Sequence, residues 1–222
     1  MSDLVETKEA GRQYSVRDWV GWGSGVVSDA LRKCDRPFQA MDGGIRPLSD
    51  RMVTAGTVYT VRCYPGATWA MERALEAAAP GSVIVVDAGG RPDLTIMGGL
   101  MASRAAIRHL AGIVVDGAVR DVDDILATEL PVFTRHVSPR AGTFAEIGQW
   151  QVTICCGRLP VSPGDWIVAD RNGVVLVPLS ILNEVAQHSE RISRHERVVE
   201  EKLKEGHSLS EASEAARYLC SD

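Results

Sequence analysis

Apolar runs alternate with helical patterns through the middle of the chain. The runs within 82–87 and 112–115 are apolar without interruption, which is typical of parallel strands buried on both faces. In chain order we predict a bent strand or strand pair at 52–63, a helix at 67–79, a strand at 82–87, a helix at 98–110, a strand at 112–115, a helix at 122–129 and a strand at 131–133. This alternation predicts an α/β domain in which crossover helices cover parallel strands.

The pattern changes after residue 150. Strand-like segments at 151–156, 166–170 and 173–177 are joined by turns, and Asn172-Gly173 accepts the positive φ angles that a tight hairpin requires. Beyond residue 179 the chain is helical and charged. A helix this polar buries only one stripe, either against its own domain or against a neighbouring subunit.

The polarity of the two ends divides the chain into three parts. The first twenty or so residues are polar and irregular, and we expect an N-terminal arm at 1–25. The α/β core follows at 26–178 and begins with a short helical stretch around 28–31. A C-terminal helical extension is expected at 179–222.

Composition narrows the classes of protein to consider. The chain has 222 residues, 45% of them hydrophobic, with a formal net charge of −5 and no basic patch, so we expect a packed core and no nucleic-acid partner. The five cysteines are odd in number and form no CxxC motif. With no signal peptide and no apolar run of membrane length, this predicts a reduced cytoplasmic protein without a membrane partner. Cys155 and Cys156 are expected on opposite faces of one strand.

Arg120 and Asp121 are the first candidates for chemistry. They follow the buried run 112–115 and the dipeptide Asp116-Gly117, which we interpret as a turn. A guanidinium clamps a carboxylate in bidentate fashion, and a carboxylate holds Mg²⁺ together with waters and substrate oxygens. Such a pair is the minimum needed to stabilise an enolate. The alternative is that Asp121 only caps the helix that begins at Val122.

The segment Gly98-Gly99-Leu100-Met101 is the second candidate. Two glycines at a helix start leave backbone N–H groups free to point at an anion. The alternative is a flexible turn. The anion-binding interpretation gains weight because the segment ends a βα connection, where open parallel sheets place their ligands. The loop before Arg120 is the next such connection, and we expect both loops to face one crevice.

Other polar residues favour simpler interpretations. Asp87, Asp93 and Asp116 are expected to form turns or to pair with Arg91 or Arg104. The charged run at 189–205, which includes Glu196, has the composition of a solvated helix. The histidines form neither HxH nor HExxH, and GxSxG, GxGxxG and P-loop motifs are absent. The sequence therefore gives no support for a zinc site, a hydrolase triad or a nucleotide cofactor.

Several stretches together resemble a known family. They are Val85-Val-Asp-Ala-Gly-Gly90, Gly98-Gly-Leu-Met101, Gly112-Ile-Val-Val-Asp-Gly-Ala-Val-Arg-Asp-Val-Asp123, Ser162-Pro-Gly-Asp165 and Asp170-Arg-Asn-Gly-Val174. The chain resembles the RraA-like family, which includes divalent-metal-dependent 4-hydroxy-4-methyl-2-oxoglutarate / 4-carboxy-4-hydroxy-2-oxoadipate aldolases and protein regulators of ribonuclease E. The resemblance implies a three-layer α/β sandwich of the swivelling β/β/α type, assembled as trimers or hexamers with sites between subunits.

The resemblance also implies roles for residues. Asp121 matches the metal ligand, with Mg²⁺ or Mn²⁺ as the ion, and Arg120 matches the residue that binds the pyruvyl carboxylate. The segment 98–101 matches the backbone cradle for the same group. Asp29 and Glu196 match acids that a neighbouring subunit contributes, and a water that they hold is the candidate base. The C-terminal extension favours an enzyme, because the regulators tend to lack it.

One departure from the family pattern concerns Gly99. The aldolases usually carry an acid at this position, which helps to hold the catalytic water. We therefore expect a metal-dependent carbon–carbon lyase that acts on 2-oxo acids, with oxaloacetate decarboxylation less affected than retro-aldol cleavage. Two alternatives stay open: a non-catalytic regulator that binds a ribonuclease, and an enzyme of another class that uses the same metal and oxo-acid site.

Overall fold

The computed structural model of the chain describes residues 14–64 and 66–219. The helices are α1 (Val16–Lys33), α2 (Trp69–Ala77), α3 (Gly99–Ile107), α4 (Val122–Ala127), α5 (Leu182–Lys204) and α6 (Leu209–Leu219). The strands are β1 (Arg46–Pro47), β2 (Thr54–Arg62), β3 (Val83–Asp87), β4 (Thr95–Met97), β5 (Gly112–Val119), β6 (Val132–Val137), β7 (Gln149–Trp150), β8 (Ile154–Cys156), β9 (Leu159–Val161), β10 (Trp166–Asp170) and β11 (Gly173–Val177). The parts of the expected arm and extension at 1–13 and 220–222 lie outside the described residues.

One large sheet organises the chain. Its strands lie in the order β1-β6-β5-β3-β2-β10-β11, with β4 added beside β5 and β7 beside β2. The pairs β2–β3, β3–β5 and β5–β6 are parallel, and β10 runs antiparallel to both β2 and β11. The sheet curls until its two edges nearly meet, since Arg46 on β1 donates to the carbonyl of Asn172 at 2.8 Å. The α/β class with parallel strands is therefore confirmed.

Three hydrophobic cores follow from the two faces of this sheet. Helices α2, α3 and α4 pack on one face, where alternate residues of the parallel strands, such as Ile84 and Ile113, are buried. The opposite residues, such as Val85 and Val114, point into the curl, which the β8–β9 hairpin closes. A third core lies between the β10–β11 hairpin and the helices α1 and α5. This layering confirms the swivelling β/β/α sandwich with C-terminal helices.

The β10–β11 hairpin forms as its sequence predicts. Trp166 and Val168 face α1 and α5, while Ile167 and Ala169 face the interior of the curl. This period of two places both apolar sets in a core. The two strands pair without a register shift, from Trp166 opposite Val177 to Asp170 opposite Gly173 at the turn.

The N-terminal segment differs from the expected irregular arm. Helix α1 already begins at Val16, after a capping box in which Ser15 and Asp18 satisfy each other's backbone N–H groups. The helix is kinked at Gly23, and Trp19 packs against Trp166. Residues 16–25 are helical because burial of this aromatic side chain outweighs the weak helix propensity of the glycines. The division of the chain into three domains itself stays a prediction.

Strand β5 corrects the expected turn at Asp116-Gly117. The strand continues through both residues to Val119, and every one of its residues is buried. A Cβ at Gly117 would lie 2.6 Å from the Cβ of Ala88, so the glycine serves close packing rather than a turn. The pairing with β6 shifts register between Val115 and Ala118, so Asp116 and Gly117 lie at a bulge in the ladder with β6. The longer strand delivers the chain directly to Arg120.

Smaller differences concern short strands. The sequence did not predict β4. The expected strand at 151–156 is shorter than predicted, because only Ile154–Cys156 forms a strand, β8, whereas β7 ends at Trp150 and belongs to a different sheet. Cys155 is exposed and Cys156 is buried on β8, so their predicted placement on opposite faces is confirmed. Burial raises the pKa of the Cys156 thiol well above its usual value.

The C-terminal helices pack by one stripe, as their polarity predicted. Along α5, the buried residues are Leu182, Val185, Ala186 and Ser189, all in its first half. The second half is largely solvated, apart from its contacts with α6. None of the described helices combines the length and the apolar character that crossing a membrane demands.

Candidate functional site

A cleft of about 300 Å³ lies where β4 and β5 end and where α3 and α4 begin. It is lined by Thr68, Glu72, Thr95, Ile96, Met97, Gly98, Leu100, Met101, Arg120, Asp121, Ala141, Gly142 and Phe144. The backbone N–H of Arg120 donates to the carbonyl of Met97 at 3.1 Å, which holds the two strand ends together. The expectation that both connections face one crevice is met.

Asp121 adopts a backbone conformation that few residues other than glycine tolerate. Its φ of 56° and ψ of 49° are left-handed, although it occupies the N-cap position of α4. Its side chain makes no capping hydrogen bond, so the alternative interpretation of Asp121 as a simple cap is wrong. Instead Oδ2 accepts from the N–H of Gly99 at 3.3 Å and lies 3.4 Å from Nε of Arg120.

The cleft leaves the Arg120–Asp121 pair accessible. The side chains of Arg120 and Asp121 are 43% and 40% exposed. Within residues 14–64 and 66–219, no hydrogen bond reaches Oδ1 of Asp121. A half-exposed carboxylate with a free oxygen and room for waters fits Mg²⁺ or Mn²⁺, which need only one or two protein carboxylates. The adjacent guanidinium keeps donors available for an anionic group.

Two glycines allow this arrangement. A Cβ on Gly98 would collide with Oδ2 of Asp121 and lie 3.1 Å from Cγ of Arg120. Only glycine lets the start of α3 approach the pair this closely. The first N–H groups of α3 lack acceptors within the helix, as at every helix N-terminus, and the macrodipole makes this end favourable for an anion. Gly98, Leu100 and Met101 line the cleft directly.

Gly99 lies behind the cleft lining and faces Asp124. A Cβ on Gly99 would lie 2.5 Å from Cβ and 3.1 Å from Oδ2 of Asp124. The carboxylate of Asp124 therefore occupies the space into which a side chain at position 99 would extend. Asp124 was not among the residues predicted for the site. Its spacing of three residues from Asp121 on a helix start was the available signal, because residues i and i+3 share a face.

Asp29 and Glu196 lie away from the cleft at Asp121. Asp29 is on α1, where it pairs with Arg32 at 3.3 Å, and lines a hollow beside α5. Glu196 is on α5 and lines a different hollow together with Trp22. Neither residue lines the cleft at Asp121. One chain does not bring them to the candidate site, and their contribution from a neighbouring subunit stays a prediction.

The remaining loop acids have structural partners. Asp93 pairs with Arg91 at 2.7 Å as expected, and this hydrogen bond lowers the pKa of Asp93. Asp87 accepts from the N–H of Gly89 and lies 3.7 Å from Arg62.

Asp116 and Arg104 have other partners than the sequence suggested. Arg104 pairs with Glu76 at 2.6 Å. Asp116 accepts from Nε of Arg135 at 2.6 Å and from the N–H of Gly157 at 2.7 Å. Arg135 also donates to Asp42 at 2.7 Å. The hydrogen bond to Asp116, with that to Asp42, raises the pKa of Arg135 further above its already high value.

The fold and the cleft define the class of protein: an α/β sandwich of the β/β/α type with a glycine-lined cleft at the strand ends that holds an arginine–aspartate pair. A family model described as RraA-like, Aldolase/RraA, matches residues 25–176. The chain belongs to the RraA-like family.

Relatives by sequence cover most of the chain. The chain is 34% identical over 165 residues to a Halalkalibacterium halodurans protein provisionally named 4-hydroxy-4-methyl-2-oxoglutarate aldolase, covering 74% of this chain and 77% of the relative. It is 32% identical over 179 residues to an uncharacterized protein of Methanocaldococcus jannaschii, covering 79% of this chain and 85% of that protein.

Solved structures share the fold. A crystal structure of an uncharacterized protein from Pseudomonas syringae pv. tomato matches with a TM-score of 0.77 at 25% identity, covering 90% of this chain and 99% of that one. The RNA-processing inhibitor RraA from Thermus thermophilis matches with a TM-score of 0.62 at 27% identity, covering 68% and 92%. The family therefore contains both proteins with aldolase names and an inhibitor of RNA processing.

Proposed function

We propose that the chain is a divalent-metal-dependent carbon–carbon lyase that acts on 2-oxo acids. Its reactions would be retro-aldol cleavage of substrates like 4-hydroxy-4-methyl-2-oxoglutarate and decarboxylation of oxaloacetate, each giving pyruvate. The observation that carries the proposal is the accessible Arg120–Asp121 pair beside the start of α3. The aldolase name of the Halalkalibacterium relative supports the same reaction class.

Arg120 and the helix start orient the substrate in this proposal. The guanidinium binds the carboxylate next to the 2-oxo group, and the first N–H groups of α3 complete the cradle. Fixing this end of the substrate holds the bond that breaks in a constant position above the cleft. Because the donors are preorganised, they also stabilise negative charge as it develops on the substrate.

Asp121 is the residue that would hold the metal ion. When bound, Mg²⁺ or Mn²⁺ supplies Lewis-acid stabilisation of the charge that develops on the 2-oxo oxygen. The left-handed backbone of Asp121 directs its carboxylate into the cleft instead of onto the helix end.

Proton transfer requires a further acid or an activated water. Asp124 is a candidate within the same chain, because its carboxylate fills the space beside Gly99, where the aldolases usually carry an acid; it lies behind the cleft lining and would act through a water. Asp29 and Glu196 are the candidates from a neighbouring subunit. Retro-aldol cleavage needs this base to remove the hydroxyl proton, whereas decarboxylation does not.

A homo-oligomer, a trimer or a hexamer, is part of the proposal. Leu100 and Phe144 line the cleft but are 90% and 63% exposed in one chain. Exposed apolar side chains at the rim of a cleft are typical of a surface that a second subunit covers. A neighbour seated there would also exclude water from the reaction.

The test measures pyruvate release from oxaloacetate and from 4-hydroxy-4-methyl-2-oxoglutarate, with Mg²⁺ or with EDTA, for the native chain and for Asp121→Ala. Metal-dependent release from both substrates that disappears in Asp121→Ala, with the oligomer intact, is the expected result. Full activity in Asp121→Ala would overturn the assignment of the site.

A regulator of a ribonuclease is the second candidate function. The likeness to RraA from Thermus thermophilis favours it. This alternative predicts no metal-dependent release from either substrate and direct binding of a ribonuclease by the purified chain. Release from oxaloacetate alone would instead point to another enzyme class that uses the same metal and oxo-acid site.

A further inference from the structure

A second group of metal-binding side chains lies between α1 and α5, away from the cleft. Cys34 is the residue after the last turn of α1, and Glu184 and His188 are one turn apart near the start of α5. One ligand atom from each residue, the Cys34 sulfur, a Glu184 carboxylate oxygen and a His188 ring nitrogen, lies within 4.8 Å of the other two. None of the three residues lines the cleft at Asp121.

We propose that Cys34, Glu184 and His188 bind one divalent transition-metal ion of the zinc type. In tetrahedral zinc sites the ligand atoms lie about 2.0–2.3 Å from the ion, which separates them from one another by roughly 3.3–3.8 Å. The spacing in this chain is near enough that small rotations of the side chains complete the geometry. A thiolate and an imidazole select Zn²⁺ over Mg²⁺, which prefers oxygen ligands.

Packing holds the three ligands in place. Cys34 is partly buried against the core between α1, α5 and the β10–β11 hairpin. Its N–H donates to the carbonyls of Ala30 and Leu31, which fixes the end of α1. Glu184 and His188, at positions i and i+4, project from one face of α5. Both helices are anchored in the same core, so the site forms when they pack.

Metal binding at this place has to displace the proton of the Cys34 thiol. Burial and the adjacent Glu184 carboxylate raise the pKa of the Cys34 thiol to about 11. The thiol is therefore protonated in the metal-free chain. When its sulfur binds the ion, the S–H bond breaks and the proton passes to solvent. The ion would then neutralise both the thiolate and the Glu184 carboxylate.

A fourth ligand has access from a hollow of about 640 Å³ that His188 lines. Arg191, His195 and Arg217 line the same hollow and make it basic. Water, or an anion attracted by these side chains, can complete the coordination. Three protein ligands with an open fourth position are typical of zinc sites that bind an exchangeable ligand.

Cobalt substitution tests the site with a signal that only a thiolate ligand gives. The full chain, freed of metal with a chelator, is titrated with Co²⁺ and followed by absorption spectroscopy. We expect thiolate-to-cobalt charge-transfer absorption and the visible bands of tetrahedral cobalt, saturating at one ion per chain and displaced by Zn²⁺. Cys34→Ser should abolish the charge-transfer absorption, and His188→Ala should weaken Zn²⁺ binding about 100-fold or more.

Matched variants separate this site from others. Cys155→Ser removes an exposed thiol on β8, and His207→Ala removes an exposed histidine beyond the end of α5; both should leave the spectrum unchanged. Asp121→Ala should also leave it unchanged, so this result is independent of the proposed lyase activity. Circular dichroism checks that each variant is folded. Glu184→Gln is the mildest of the three ligand substitutions, because it keeps the shape of the side chain and removes only its charge. No thiolate absorption, or absorption that persists in Cys34→Ser, would overturn the proposal.

Discussion

Asp116 and Asp121 lie five residues apart and each lies beside an arginine, but their surroundings differ. Asp116 is inside β5, its side chain is 11% exposed, and both of its oxygens accept short hydrogen bonds, from Arg135 and from the N–H of Gly157. Asp121 is just beyond β5, 40% exposed, and contacts Arg120 and Gly99 only through Oδ2. Whether a carboxylate can bind a ligand therefore depends on which of its oxygens accept no hydrogen bond within the fold.

The two arginines differ in the same way. Arg135 is 17% exposed and bridges Asp116 and Asp42, which ties β6 to β5 and to the segment before β1. Among the described residues, the side chain of Arg120 makes one long ion-pair contact, to its neighbour in sequence Asp121. A satisfied, buried network stabilises the fold, whereas an exposed pair contributes little to stability and is free to bind.

The largest expected effect is on catalysis in Asp121→Asn. Asparagine tolerates the left-handed backbone, so the change removes the charge without adding strain. We expect metal-dependent pyruvate release to fall about 1000-fold, while the free energy of unfolding changes by less than about 1 kcal/mol. Steady-state kinetics and urea unfolding of the same preparation measure both quantities. An active variant, or one that is strongly destabilised, would remove the distinction between the two pairs.

For Asp116→Asn we expect the main effect to be on the stability of the fold. The change leaves Arg135 with one carboxylate partner in a buried setting, and we expect it to destabilise the fold by about 3 kcal/mol. Urea unfolding measures this loss. Asp93→Asn, which breaks the exposed pair with Arg91, serves as the control and should leave the midpoint unchanged. Equal stability of the Asp116 and Asp93 variants would show that the network does not support the fold.

Gly98→Ala tests the close approach of α3 to the pair. The added Cβ displaces the Asp121 carboxylate, and misplacement of this kind costs about 100-fold in rate. Gly25→Ala adds the same methyl group on α1, where nothing lies within 4 Å, and should retain full activity. The two rates are compared at saturating Mg²⁺. A fully active Gly98→Ala would mean that the glycine does not position the carboxylate.

The smallest expected effect concerns the loss of folding stability at acidic pH. The N–H of Gly44 and then the guanidinium of Arg135 lower the pKa of Asp42 below its ordinary value of 3.8. Asp42 therefore stabilises the fold at pH values above about 3.8 and loses this contribution as the pH falls through its lower folded pKa. Urea midpoints of the native chain and Asp42→Asn should differ above that pH and converge below it. Parallel curves at all pH values would refute this role.

Local patterns were sufficient to predict much of the fold. The buried strand at 82–87 and the hairpin around Asn172-Gly173 formed as expected, because their periodicity and turn chemistry agree with the fold. The same is true of the cleft, since Arg120, Asp121 and the segment at 98–101 lie at consecutive strand ends. Elements and site residues that local periodicity and turn chemistry specify could therefore be predicted from the sequence.

Long-range contacts account for what the sequence did not predict. Asp116-Gly117 has the composition of a turn, but pairing of Asp116 with β3, and of Ala118 and Val119 with β6, keeps it in a strand. The partnership of Arg135 with Asp116 and Asp42 joins segments that no local pattern connects. Asp124 beside Gly99 and the Cys34–Glu184–His188 group depend likewise on helix packing.

Binding of Mn²⁺ followed by electron paramagnetic resonance, for the native chain and Asp121→Asn with and without pyruvate, tests the central claim most directly. If metal and oxo acid share the cleft, pyruvate tightens Mn²⁺ binding in the native chain, and by reciprocity Mn²⁺ tightens pyruvate binding. Asp121→Asn should lose both. Mn²⁺ binding that pyruvate does not change, or that Asp121→Asn retains in full, would contradict the account.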